Sequence, residues 1–350
     1  MPIKVLLNDS PLKNANAIRG VGAYTRFLAK YLAKNKAIEL ALSSNKDLDF
    51  KAEITHYPFF DLFFSTLPLL NKGKTIVTIH DVIPLIFPKY YPTGKKGFLA
   101  LMRQKMALKS VNAVITDSNN SKTDIAKYLK FPLDKIYVIP LASNPGLKIA
   151  NEEEIQKVSK KYKLPKKYLL YVGDINYNKN IPQLIKTLKF LPKEIQLVCV
   201  GKNFYPQDIP EWKAIEAQIA LSDVAKRIKF ITDLASENNA ELSAIYGGAL
   251  AYLQASLYEG FGLPILEAMR CGTPVICANN SSLMEVALNK AVMVEEAKAE
   301  SFALAVEEVL AWSKTTREKF IKQAMAHANK FTWDKTVKAT IDVYQEVLKK

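Results

Sequence analysis

Short apolar runs recur along the chain, each closed by a polar turn and followed by a stretch with helical spacing. In the first part they fall at residues 3–7, 75–79, 113–116 and 136–139, with a helix expected over 21–34. A second series follows at 168–172, 196–200, 228–231, 249–254 and 274–278, with helices at 240–246, 301–311 and 334–348. Strands of four to six apolar residues alternating with helices predict parallel sheets covered on both faces, an α/β class. Two such series predict two Rossmann-like domains. The charged segment 149–167, with Pro165, reads as the boundary between them.

Length agrees: 350 residues exceed one ordinary core and suit two. A composition of 49% hydrophobic and 24% charged residues is that of a folded protein rather than a disordered one. No apolar run reaches the length of a membrane-spanning helix, and the opening MPIKVLLNDS carries a charge and an Asn-Asp pair where a secretory leader would be apolar. A cytoplasmic protein is therefore expected. Cys199, Cys271 and Cys277 form no C-x-x-C pair, which predicts neither disulfides nor a zinc site.

The net charge of +15 is concentrated early. Residues 1–150 hold 22 Lys+Arg against 10 Asp+Glu, or +12, and the remainder 27 against 24, or +3. No acid occurs between Asp81 and Asp117, whereas Lys89, Lys95, Lys96, Arg103, Lys105 and Lys109 lie there beside Tyr90, Phe98, Leu99 and Met102. This basic segment, 89–109, reads either as a solvated helix face or as a contact with an anionic membrane or lipid-linked acceptor. No nucleic-acid-binding motif accompanies it, so no nucleic-acid partner is expected. The Phe- and Leu-rich stretch 57–70 reads as a buried loop or as an apolar lip beside it.

Ligands of open α/β sheets bind beyond the carboxyl ends of strands, so the loops after strands carry the candidate chemistry. The most informative is Tyr258-Glu259-Gly260-Phe261-Gly262-Leu263-Pro264-Ile265-Leu266-Glu267. Two glycines allow a sharp turn, and Pro264 suits the first position of a helix whose N-terminus favours phosphate or sugar oxygens. Glu259 on the loop and Glu267, expected in the first helical turn, are acceptors for hydroxyl groups. Taken singly, each glutamate also reads as a solvated charge or a helix-dipole complement.

The stretch EGFGLPILEAM resembles the E-x7-E signature of glycosyltransferase family 4, a group of retaining enzymes with the GT-B fold. The resemblance continues in order through Arg19-Gly20-Val21-Gly22, His80-Asp81, Ser118 with Ser121-Lys122, Gly173-Asp174, Lys179-Asn180, Gly272-Thr273-Pro274-Val275 and Phe331-Thr332-Trp333. It implies an acceptor domain over 1–150, a nucleotide-sugar domain over 151–333, a cleft between them that closes on the donor, and a C-terminal helix, 334–350, that crosses back to the first domain.

By the same resemblance Glu259 holds donor-sugar hydroxyls and Gly260 to Leu263 contact sugar and phosphate. Glu267 holds the ribose, Gly20 and Gly22 let their loop approach the diphosphate, and His80 with Asp81 meets the transferred sugar. Lys179, beside Gly173, faces the departing diphosphate, where preorganised cations act on charge that appears only in the transition state.

Asn178 stands where many members of the resembled family carry arginine and Asp174 where some do, and Lys202 or Arg19 is the candidate to restore that charge. Asp47-Leu48-Asp49 spells the metal-binding D-x-D of a different fold but sits in a polar linker. No metal and no cofactor is expected beyond a GDP- or UDP-sugar donor.

The function so implied is transfer of a hexose, mannose first, to a glycan or lipid-linked acceptor, as in bacterial mannosyltransferases of surface polysaccharide synthesis. Two other readings fit the same residues: a catalytically weakened nucleotide-sugar or glycan-binding partner with the same fold, suggested by Asn178 and Asp174, and a related epimerase or phosphorylase.

Overall fold

The computed structural model describes residues 1–18, 20–43, 50–70, 73–235 and 238–350. Arg19 and Asp47-Leu48-Asp49 therefore lie outside the described residues. Two compact units emerge, Met1–Leu141 with Thr332–Lys350, and Ala142–Phe331.

The first unit is built on six parallel strands, β1 (Ile3–Leu7), β2 (Ile38–Leu42), β3 (Ile54–Tyr57), β4 (Lys74–Thr78), β5 (Ala113–Thr116) and β6 (Ile136–Val138), in the order β2-β1-β3-β4-β5-β6. β4 and β5 are apolar on both faces because helices cover both; Ile76, Val77 and Ala113 to Ile115 are fully buried. β2 and β3 were not visible as apolar runs: β2 is half-exposed and β3, ITHY, carries a buried histidine.

The C-terminal helix Trp333–Lys349 belongs to this unit. Its Thr336 hydroxyl donates to the Pro140 carbonyl at 2.9 Å, and Trp333 stacks on Phe27 with ring centroids 5.2 Å apart. Deeper in, Tyr344 Oη lies 2.7 Å from His56 Nδ1, His56 Nε2 lies 2.8 Å from Thr78 Oγ1, and Tyr24 Oη lies 3.1 Å from the same hydroxyl. A polar chain thus crosses an apolar interior with each member partnered, the condition under which buried polar groups are tolerated.

The second unit repeats the theme with β7 (Tyr168–Val172), β8 (Gln196–Val200), β9 (Ile228–Ile231), β10 (Ala251–Gln254), β11 (Val275–Ala278) and β12 (Val292–Val294). All neighbours are parallel and the order is β12-β11-β10-β7-β8-β9. Numbered within the unit this is 3-2-1-4-5-6 read from its far edge, the dinucleotide-binding order, with its reversal between β7 and β10.

The segment expected as a boundary is instead the helix Glu152–Tyr162, closed by a capping box between Asn151 and Glu154 and ended by Lys163 in the left-handed region. Ala142–Ala150 sits with the second unit because Leu147 and Ala150 are buried, Asn144 donates to Asn239 at 2.6 Å and the Lys148 amide donates to Ser243 at 3.2 Å. The three cysteines are free and buried. No helix among the described residues is long and apolar enough to cross a membrane.

Burial, with the nearby charge of His80, lowers the His56 pKa from 6.5 to about 3. A depressed histidine contributes stability in full above the unfolded value and loses it as pH falls toward the folded one, at about 1.4 kcal/mol per pH unit. The wild-type advantage over His56→Gln, measured by urea unfolding, is therefore expected to shrink between pH 6.5 and 4; a constant difference would remove the titration from the account.

Candidate functional site

At the reversal of the second sheet, the loops leaving β7 and β10 lie side by side at the strands' carboxyl ends, the station at which open α/β sheets form their ligand crevice. Lys179 arrives from the first loop and Glu259 from the second. Lys179 Nζ donates to Glu259 Oε1 and Oε2 at 2.7 and 2.8 Å. Glu259 is only 6% exposed, and Gln254 Nε2 and Ser256 Oγ also donate to its Oε1, at 2.8 and 2.6 Å. An ionised carboxylate is costly to bury alone, and one ammonium with two neutral donors satisfies it. Gln254 and Ser256 escaped sequence reading, although both are polar residues at the end of an apolar strand, LQAS.

The two loops are also stitched by backbone. Asn178, 3% exposed, donates its Nδ2 to the Tyr258 carbonyl at 2.9 Å and accepts the Leu257 amide at 2.7 Å on its own carbonyl. This buried amide braces the loops rather than presenting itself at the surface of the crevice. Asn180, left-handed at φ 56°, donates to the Ala255 and Ala297 carbonyls. From the helix Ser281–Ala287 that follows β11, Ser281 accepts the Glu259 amide at 3.0 Å, and Ser282 donates to the Glu259 and Phe261 carbonyls at 2.9 Å.

Of the two loop glycines only Gly262 takes a backbone that favours glycine, φ 108°, and there it caps the helix Leu263–Arg270. Pro264 occupies the second position of that helix, not the first, and Glu267 falls in its second turn rather than its first. It therefore does not complement the helix N-terminus. Tyr246 Oη donates to Glu267 Oε2 at 3.1 Å, and burial, partly offset by that bond, raises the Glu267 pKa. Phe261 is buried on the loop between Gly260 and Gly262, and Leu263 opens the helix.

Gly173 is at φ 152°, where a Cβ would meet the Tyr171 hydroxyl at 2.8 Å, and Gly201 packs so closely on the Gly173 carbonyl that no side chain fits. Asp174 accepts the Tyr171 hydroxyl on its carbonyl at 2.8 Å. Lys202 follows β8 and is exposed, one strand further from the reversal.

In the first unit His80 follows β4 and Asp117 follows the neighbouring β5. His80 Nδ1 and Asp117 Oδ2 are 2.7 Å apart, and the edge of the Tyr24 ring meets the imidazole at 4.8 Å. Burial opposes the imidazolium, but the Asp117 charge and hydrogen bond, with Asp81, outweigh it and raise the His80 pKa. Burial likewise raises that of Asp117 against the pull of His80.

Asp117 was missed, and its signal was its station directly after the strand AVIT. Asp81 accepts the Ile83 amide at 3.0 Å, which starts the short helix Ile83–Ile86. A Cβ on Gly22 would stand 2.6 Å from Ala17 backbone atoms, so Gly22 serves the packing of its own loop, whereas Gly20 opens the helix Gly20–Leu32 toward free space. Among the described residues no three His, Cys, Asp or Glu side chains stand together in metal-binding geometry.

Two parallel six-stranded α/β units, with an acid-lysine pair at the dinucleotide-type reversal of the second, have the architecture of the GT-B glycosyltransferases. Sucrose-phosphate synthase from Thermosynechococcus elongatus shares that fold, with a TM-score of 0.76 over 99% of both chains at 18% identity. Residues 151–327 match the family "Glycosyl transferases group 1", and the chain belongs to that family: it is a glycosyltransferase.

Among its relatives, O-antigen chain mannosyltransferase B of Escherichia coli is 28% identical over 302 residues, 85% of this chain and 75% of that protein. Serotype-specific mannosyltransferase WbdA of Escherichia coli is 28% identical over 285 residues, 79% of this chain but 34% of its own, so the chain spans about a third of that relative's length.

Alanine at Gly262 would have to hold a left-handed backbone with its Cβ 2.8 Å from Leu283 Cδ2. Gly262→Ala is expected to destabilise the second unit by about 1–3 kcal/mol in urea unfolding; a neutral result would mean that the loop re-forms without strain.

Proposed function

We propose that this glycosyltransferase transfers a hexose, mannose first, from a GDP- or UDP-sugar to a glycan or lipid-linked acceptor, with retention at the anomeric carbon and without a metal. The observation that carries the reading is the Lys179–Glu259 pair at the reversal point of the second unit, within the residues that match the family. The names of the two relatives support mannose. The proposed location is the cytoplasm, peripheral to the inner face of the membrane.

In this reading Glu259 accepts from hydroxyls of the donor sugar, and the amides from Gly260 to Leu263 meet sugar and phosphate oxygens. Glu267 accepts from the ribose in competition with Tyr246. Because Lys179 is committed to Glu259 before any ligand arrives, its ammonium is already ordered, and an incoming diphosphate shares it rather than organising it. As the bond to the anomeric carbon breaks, negative charge grows on the diphosphate, and an ordered cation stabilises that state more than the ground state. Gly173 and Lys202, which follow the neighbouring strands β7 and β8, would flank the phosphates. The diphosphate itself takes the acceptor proton on the face it leaves.

The test is a panel of nucleotide sugars screened for thermal stabilisation and slow hydrolysis in the presence of a chelator. A ligand at 100 times its Kd stabilises by about 2.7 kcal/mol. Lys179→Ala is expected to lower turnover by about 100- to 1000-fold, and NMR of the product to show the donor's anomeric configuration. Inversion would refute the retaining mechanism, loss of activity on chelation the metal independence, and tight binding with no turnover of any donor would favour a weakened binding protein.

A further inference from the structure

The helix Gly94–Leu108 in the first unit has two working faces. One is buried: Gly97, Leu101, Gln104 and Leu108 repeat at three- and four-residue spacing and pack inward. The segment 61–70 is fastened along this helix. Gln104 Nε2 donates to the Asp61 carbonyl at 2.9 Å, Gln104 Oε1 accepts the Leu67 amide at 3.2 Å, and Arg103 donates to the Leu67 carbonyl at 3.0 Å.

The opposite face is unpartnered among the described residues. At 3.6 residues per turn, Phe98, Leu99, Met102 and Met106 fall in one sector of about 120°, and they expose 56%, 67%, 46% and 54% of their surface. Exposed single apolar residues are ordinary, but four contiguous ones on one helix face mark an interaction surface. Lys95, Lys105 and Lys109 project from the same sector, and none of them forms an ion pair among the described residues. The fastened segment adds Phe64 and Leu70, 72% and 85% exposed. Its one acid, Asp61, is occupied with the Phe63 and Phe64 amides, and no other acid lies in 82–116.

We propose that this face docks on an anionic lipid bilayer, with the four apolar side chains entering the boundary between headgroups and acyl chains and the lysines meeting phosphate. The charge fits that surface and the apolar residues select it over other polyanions. Along a nucleic-acid backbone lysines would be satisfied, while Phe98, Leu99, Met102 and Met106 would stay in water. A basic helix with an apolar stripe and low net hydrophobicity lies in a membrane interface rather than across it. The inference is independent of the donor site and adds to the proposed function a surface at which a lipid-linked acceptor is met.

The experiment is co-sedimentation of the full chain with phosphatidylcholine vesicles with and without phosphatidylglycerol, at low and high salt. Binding is expected only with phosphatidylglycerol and is expected to weaken with salt. Each cation near such a surface contributes about fivefold to partitioning, so Lys95→Glu with Lys105→Glu and Lys109→Glu should lower it more than 100-fold. Phe98→Ser with Leu99→Ser should lower it while leaving the salt dependence in place.

Circular dichroism verifies folding of the variants, and donor-induced stabilisation, read separately, should be unchanged in both. The proposal is overturned if wild type ignores the anionic vesicles, if either variant partitions like wild type, or if single-stranded DNA is bound and vesicles are not. It is equally overturned if the chain is a dimer that Phe98→Ser with Leu99→Ser dissociates.

Discussion

Glu259 is a carboxylate withdrawn from water at the end of β10, and its burial is tolerable because Lys179, Gln254 and Ser256 converge on its two oxygens. Gln254 and Ser256 are close to Glu259 in sequence, but the cation is not. Lys179 comes from a loop 80 residues earlier, brought alongside only because β7 and β10 are neighbours in the sheet. The sheet order is thus what makes the pair, and the pair is what gives the crevice a fixed charge distribution. A buried ion pair of this kind contributes little net stability against a well-packed apolar alternative, so its presence is better explained by what it holds ready.

The first unit is organised by a different compromise. Its centre carries a run of hydroxyls and an imidazole, Tyr344, His56, Thr78 and Tyr24, whose members satisfy one another across four separate segments. The last helix belongs to this unit because it supplies Tyr344 and Trp333 to that interior. At the rim of the same core, His80 and Asp117 share a short contact that favours the charged imidazole despite burial.

How much of this was legible follows from how local each signal is. Strands such as YLLYV and QLVCV announce themselves because both faces are covered and every position is apolar, whereas the three-residue β12 and the half-exposed β2 have no periodicity to read. The charged run before Tyr168 resembled a linker by composition, yet Asn151 and Glu154 cap it into a helix whose Val158 and Tyr162 are buried. In the site, Glu259, Glu267, Gly262 and Lys179 stand out in the sequence. The neutral donors around Glu259, the phenol above Glu267 and the carboxylate behind His80 do not: Gln254 and Ser256 are near Glu259 in sequence but are aimed at it only by the turn of the loop, and Tyr246 and Asp117 meet their partners only through the tertiary fold.

Asn178 adds a mechanical property to the site. By clasping Tyr258 through its side chain and Leu257 through its own carbonyl, it welds the loops after β7 and β10 into one plate. A displacement of Lys179 would strain the bonds to Leu257 and Tyr258 that adjoin Glu259, so the two charges are coupled through backbone as well as through their own contact. Substitutions on the two loops should then fail to behave as independent perturbations, for the chain treats residues far apart in sequence as parts of a single stiff body.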